Sequence, residues 1–311
     1  MAFVQDESSL KDGVTFVVPV HNKARYLPRV LAAIRVQRGD FPRDYVFVDD
    51  GSTDGSLDVL RALTRDWPDT VIHAQPNGGS ANATNAGIAR ARRRFVKFVD
   101  ADDRLAHDAT AVLLKALGEG PACLAFGEAV RHAEGEDVDA FLARPLGDPP
   151  AHLMAPPLKA ALTNSLFNPT QFLARTACLR QVGGCDERIV HSQEYSLTLR
   201  LARLWPFVRV EAPVAYLPAH VPASLGTNRS RQLRRVTLAC AYFLGDHPDV
   251  PASLARYAAR RSAARAWKFA RRETGAGMFS RAFAQHVSAM LGLMRDPAAH
   301  IHASARAFGE G

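Results

Sequence analysis

Cysteine is scarce in this sequence: four in 311 residues, Cys123, Cys178, Cys185 and Cys240, with no CxxC pair among them. A thiolate zinc site is therefore not expected; reduced, mostly buried thiols are. No run of about 18 uncharged apolar residues occurs, the length that a membrane-spanning helix requires. The opening MAFVQDESSLKDG has no basic patch followed by an apolar stretch, so no signal peptide is expected and the cytoplasm is the expected compartment. No internal repeat is visible. No nucleic-acid-binding motif is present, and no Gly-rich loop with a basic signature follows the first apolar run, which argues against a nucleotidyltransferase.

What is there is the composition of an ordinary globular protein, 47% hydrophobic and 23% charged, long enough for one large α/β domain with an appendage. The formal net charge is +8, and most of the excess lies after Arg200. In RYAARRSAARAWKFARRE, Arg256, Arg260, Arg261, Arg265, Lys268 and Arg272 recur at three- and four-residue steps and line one side of a helix. A solvated helix face explains them. So does a surface resting on anionic lipid headgroups at the inner membrane face, with Trp267 and Phe269 dipping into the interface. Nucleic acid is not an expected partner.

The first half alternates β-branched runs with helical patterns, which predicts a mostly parallel sheet covered by helices. Strands are expected at Val14–Val20, Asp44–Asp50, Thr70–Ala74, Arg94–Asp100 and Ala122–Val130. Residues 131–157 turn polar and proline-rich, as a loop excursion would. From residue 228 onward the chain is Ala- and Arg-rich without strand patterns. The expected organisation is thus a Rossmann-like α/β domain over residues 1–227 and a basic helical extension over 228–311.

Polar, glycine-bearing or acidic segments follow each early strand: HN, DDGSTDGS, QPNGGS and DADD. In such sheets ligands bind at the carboxyl ends of the strands. The last segment, Asp100-Ala101-Asp102-Asp103, brings three carboxylates straight out of a buried strand, where repulsion and desolvation call for a cation. Asp100 and Asp102 lie two apart and can face one site, and oxygen ligands of this kind suit Mg²⁺ or Mn²⁺. The alternative, caps for the helix at HDATAVLLKAL, accounts for Asp103 or Asp108 alone. In SQEYSLTLRLARLW, Ser192 can cap a helix that carries Glu194 in its first turn, where the dipole favours an ionised carboxylate. Asp54 or Ser52 can cap the helix after DDGSTDGS.

Taken in order, VVPVHN, VDDGSTDGS, NGGSANATNAG, FVDADD, VGGCDE and SQEYSLTLRLA resemble an inverting family 2 glycosyltransferase of the GT-A fold, over roughly Val14 to His220. The resemblance implies a nucleotide-sugar donor, UDP-linked by expectation, and a glycan or lipid-linked acceptor, with inversion at the transferred sugar in surface polysaccharide or glycan synthesis. It implies that Pro19, Val20, His21 and Asn22 wall the nucleobase pocket and that Asp50 bonds the nucleoside. Gly78 and Asn85 border the donor site, Asp100 and Ala101 lie at the ribose and phosphates, and Asp102 leads the metal ligands with Asp100 and His220. It implies that Glu194 is the base, with Asp186 and Glu187 of VGGCDE as the nearest substitutes. The chain departs from the family pattern at His21, where an aromatic is common, and at Thr84, where an arginine is frequent. A catalytically inactive nucleotide-sugar or glycan-binding module is the alternative reading; joint retention of Asp100, Asp102 and Glu194 argues against it.

Overall fold

The computed structural model of this protein describes residues 9–133, 135–189, 193–219 and 229–309. The early apolar runs form β1 (Lys11–Val20), β2 (Arg43–Asp50), β3 (Thr70–Gln75) and β4 (Arg93–Phe98), between which lie α1 (Leu27–Arg35), α2 (Ser56–Leu63) and α3 (Ser80–Arg90). The strands stand in the order β3-β2-β1-β4, all parallel. Both faces are covered, which is why these strands read as almost continuous apolar runs. Phe16, Val18, Tyr45 and Phe47 pack with α1 and α2 on one face, and Val17, Val46, Val48 and Val96 pack with α3 on the other. A Cβ at Gly87 would lie 2.3 Å from Val17 Cγ1, so α3 seats on β1 more closely than any other residue there allows.

Beyond β4 the sheet is mixed rather than parallel. The chain continues through β5 (Arg104–Leu105), α4 (Ala109–Leu117), β6 (Leu124–His132), α5 (Asp139–Ala143), β7 (Ala151–Met154), α6 (Leu158–Thr163), β8 (Phe172–Arg175), α7 (Thr176–Gln181), α8 (Gln193–Leu204) and β9 (Phe207–Pro218). Strand β8 runs antiparallel to both β4 and β6, while β9 lies parallel to β6 and carries β5 and β7 antiparallel on its other side. Burial pattern reports which residues face a core, not which way a strand runs, so this reversal left no mark on the sequence. The 131–157 excursion is likewise more ordered than its composition suggests: it holds α5 and the edge strand β7.

The C-terminal part folds as α9 (Arg229–Asp246), α10 (Ala252–Glu273), α11 (Arg281–Met290) and α12 (Pro297–Ser304). Cys240, Phe243, Leu244, Ala258, Ala259 and Ile301 are buried in the same cluster as Phe172 and Leu197, so these helices extend the layer on the α3 face instead of building a core of their own. The basic stripe is divided. Arg261 donates from Nε to the Thr163 carbonyl (2.6 Å) and from its terminal nitrogen to Asn164 (2.8 Å), anchoring α10 on α6, whereas Arg256, Arg260, Lys268 and Arg272 are exposed. Trp267 packs against Phe283 (5.0 Å between ring centres) and Phe269 against Phe308 (5.1 Å), so the two aromatics expected at a lipid interface are internal packing instead. Among the described residues no helix is long and apolar enough to cross a membrane.

Candidate active site

The polar segments gather at the carboxyl edge of the parallel quartet. At the end of β2, Asp50 is only 3% exposed, and its carboxylate accepts from the Gly78 amide (2.8 Å), the Gly79 amide (2.8 Å) and Gln75 Nε2 (2.9 Å). It therefore fixes the turn that opens α3. His21 lies beside it, with Nδ1 2.8 Å from the Asp50 carbonyl; since that oxygen can only accept, Nδ1 carries the proton. Nε2 is then left to accept from Asn22 (3.2 Å) or Asn77 (3.3 Å), and the exposed imidazole forms one wall at this edge. Asn22 takes a left-handed conformation (φ 53°) and is held by Ser52 and Thr53, while Asp54 receives the Ala24 amide (3.0 Å) and the Ser56 amide (3.0 Å). Pro19 faces the cleft. Val20 and Ala101, by contrast, bury their side chains in the core on the α1 face, so only their backbones could meet a ligand.

At the end of β4 the acids are far less satisfied. Asp102 pairs with Lys23, Nζ to Oδ2 at 2.6 Å. Asp103 accepts from Thr170 Oγ1 (2.7 Å), and the same hydroxyl receives the Asp100 amide (3.0 Å). Beneath them Lys97 is fully buried, its ammonium donating to the carbonyls of Phe98 (2.9 Å) and Thr170 (2.5 Å). Burial drives this lysine down to about 7, against the pull of Asp103 and Asp100. Asp100 is pushed upward by burial first and then by Asp102 and Glu194; Asp103 is pushed well upward by burial and by Asp100 and Asp102, with Thr170 opposing. Asp100, Asp102 and Asp103 thus share two lysines, one of which holds its proton weakly. Sequence reading missed all three supporting residues. Lys97 had left a signal, a charge in the middle of the apolar run RFVKFV, and Lys23 follows directly on the HN pair; Thr170 left none.

Glu194 sits in the first turn of α8 and lines a narrow cleft with Pro19, Thr84, Asp100, Cys185 and Gln193. Burial raises its carboxyl to about 7. Its proposed substitutes are engaged elsewhere. Asp186 is buried in ion pairs with Arg188 (2.7 Å) and Arg200 (3.3 Å), which keep it below the usual carboxylate range despite its burial. Glu187 accepts from Asn82 (3.1 Å) and Asn85 (2.8 Å). Asn85 completes the clasp by donating to the Cys185 carbonyl (3.0 Å) and accepting the Cys185 amide (2.8 Å), so its amide holds the 184–187 turn rather than reaching toward a donor. Gly184 is required there: its φ is +70°, and a Cβ would stand 2.3 Å from Asn85 Oδ1. Gly78 lies at the Asp50 turn, its amide donating to the Asp50 carboxylate. Ser192 and His220 lie outside the described residues.

Do these residues fit a divalent ion? Among the described residues no three His, Cys, Asp or Glu side chains surround one point as a protein cage would. Yet Asp102 and Asp100 offer hard oxygen donors in an acidic surplus, the donor set for an ion that takes its other ligands from phosphate and water. The residues fit, with the Lys23 ammonium standing where such a charge would be shared.

Comparison with known proteins agrees with this fold. Two solved structures share the fold over nearly the whole chain: Staphylococcus aureus TarS in complex with UDP (TM-score 0.57, 16% identity, 94% of this chain and 90% of that one) and a Pyrobaculum calidifontis mannosyltransferase in complex with GDP-Man and Mn²⁺ (TM-score 0.56, 19% identity, 96% and 87%). Among curated sequences, an uncharacterised glycosyltransferase of Nostoc sp. is 40% identical over 92 residues, 29% of this chain and 28% of its own length. The chondroitin synthase of Pasteurella multocida is 34% identical over 103 residues, 33% of this chain and 10% of its own length, so the chain spans well under two thirds of these relatives. The family model for glycosyl transferase family 2 matches residues 15–187, which contain most of β1, all of β2–β4, the Asp50 turn, all three acids after β4 and the clasp to the 184–187 turn. More than half of the chain, including most of the elements that build this edge, thus follows one family pattern, and the protein belongs to glycosyl transferase family 2.

Proposed function

We propose that this chain transfers a sugar from a nucleotide-sugar donor to an acceptor hydroxyl with inversion of the anomeric centre. The observation that carries the reading is the juxtaposition of Asp100 and Glu194 on one narrow cleft: a carboxyl raised by burial to about 7 stands beside the acidic edge at the end of β4. A base in this range is suited to take a proton from an attacking hydroxyl near neutral pH. Direct attack by that hydroxyl from the Glu194 side, opposite the leaving diphosphate, gives inversion.

The remaining roles follow from position. The His21 ring and the Asn77 amide stand where a base can lie against the β1 and β2 ends, while Asp50 keeps the Gly78–Gly79 turn in shape beneath it. Lys23 and Asp102 stand at the phosphate end, and Asp102 with Asp100 would hold Mn²⁺ or Mg²⁺. Such an ion supplies positive charge to the leaving diphosphate when bound. A uridine nucleotide is the favoured donor class, since TarS, similar over nearly the whole chain, was solved in complex with UDP, and a polysaccharide hydroxyl is the favoured acceptor, since the chondroitin synthase shares this segment.

Release of nucleoside diphosphate from a panel of UDP- and GDP-sugars, with and without Mn²⁺, tests the reading. Turnover with a UDP-sugar that Glu194→Gln abolishes is expected. Donor binding without turnover by the parent protein would make the chain a nucleotide-sugar-binding module, and no binding at all would overturn the reading.

A further inference from the structure

The net charge is distributed unevenly. Residues 229–311 hold 14 Lys and Arg against five Asp and Glu, a surplus of nine, so residues 1–228 are left with a balance of −1. The same C-terminal part carries the most exposed apolar side chains of the described residues. Phe279 is fully exposed, and Met278, Met290, Leu291 and Leu293 are each more than 60% exposed. They stand at the two ends of α11, which lies along α10 with its Phe283 against Trp267 and its Gln285 bonded to His300 of α12. At 1.5 Å per residue the helix separates the two apolar groups by about 15 Å. Exposed cations lie near both in the sequence: Arg271, Arg272 and Arg281 flank Phe279, and Arg295 follows Leu293.

We infer that this face, α11 and its two flanking turns, docks the protein on an anionic lipid surface, with α11 parallel to the membrane plane. Large apolar side chains held in water are unfavourable unless something covers them, and a pair of apolar tips joined by a short helix matches the shallow apolar layer just under lipid headgroups. The cations around the tips select the headgroup charge. A protein partner could cover the tips, but the charge identifies the occupant: the entire positive surplus sits on the part that bears them. The surface is distinct from the Trp267 and Phe269 pair, which packs inward, and the inference stands whatever reaction the cleft performs.

Co-sedimentation of the full chain with vesicles decides it. The chain should pellet with vesicles containing about one-third phosphatidylglycerol and stay in solution with pure phosphatidylcholine; raising salt from about 0.1 M to about 0.5 M should release it as screening shortens the attraction. F279S/L291S should lower partitioning at least tenfold while leaving the thermal midpoint in place, because both side chains are exposed in the folded protein. R271E/R272E should lower it as well without touching an apolar residue. Equal binding to neutral and anionic vesicles, no binding, or binding unchanged in both variants would overturn the inference. A concentration-dependent dimer that F279S/L291S dissolves would overturn it too, assigning the face to contact between copies of the chain.

Discussion

The ends of β2 and β4 lie on one edge of the same sheet, and each presents buried carboxylates. At β2, Asp50 has an N–H donor for both oxygens and a third from Gln75, all from within the chain. At β4, Asp100, Asp102 and Asp103 share two lysines and a threonine hydroxyl, and burial with mutual repulsion drives Asp100 and Asp103 upward. The first arrangement is complete without a ligand and gives a loop its shape. The second is incomplete and improves when positive charge arrives. The similar burial of Asp50 and Asp103 and their shared residue type therefore say little about role; the donors within reach decide it.

Changing Glu194, which faces the incomplete cluster, should have the largest effect. Glu194→Gln keeps the volume but accepts no proton, so single-turnover transfer should fall by about a hundredfold or more while donor affinity holds. The parent's kcat/KM should rise with pH through about 7 as Glu194 loses its proton, and the variant should lack that limb. Transfer near the parental rate would place the base elsewhere.

Asp102→Asn and Asp50→Asn sharpen the contrast directly. Asp102→Asn should abolish the thermal shift given by UDP with Mn²⁺, yet leave the stability of the free protein within about 0.5 kcal/mol, because its ion pair is partly solvated. Asp50→Asn should do the reverse. It replaces one accepting oxygen with a donor that faces a backbone N–H, and urea unfolding should show a loss of about 2 kcal/mol. If the two variants behave alike, the distinction between the clusters fails.

The smallest effect concerns stability against pH. Glu194 has a folded value of about 7, above the ordinary carboxylate value of 4.5, so folding takes up a proton between the two, and the charge left buried above 7 weakens the fold. Glu194→Gln should therefore raise stability at pH 8, on the order of 1 kcal/mol given the solvent that this side chain retains, and leave it unchanged at pH 4. Thermal melts of both proteins at the two pH values check it.

Much of this edge could be read from the chain alone. The β1–β4 runs, the acids at 100–103 and the helix beginning near Glu194 all announce themselves by short-range pattern: apolar continuity for a doubly covered strand, turn residues at its end, a carboxyl at a helix start. What stayed hidden spans long separations. Thr170 meets Asp103 across 67 positions and Lys23 meets Asp102 across 79, and no local periodicity encodes either. The basic stripe shows a different limit: its spacing correctly places the arginines on α10, but Arg261 turns inward to Thr163, and only the packed helices reveal which side is outside.

Helix α3 joins the two clusters. Its leading turn is fixed by Asp50, and one turn later Asn82 and Asn85 grip the 184–187 turn that precedes α8. An inserted residue within it would rotate everything downstream by about 100° and advance it about 1.5 Å, parting the Asn85 clasp while the Asp50 end stayed in place. Length changes should therefore be lethal to activity inside residues 80–85. The 131–157 excursion on the far edge of the sheet is under no such constraint. Changes of length in that excursion should leave the spacing between the Asp50 turn and Glu194 as it is.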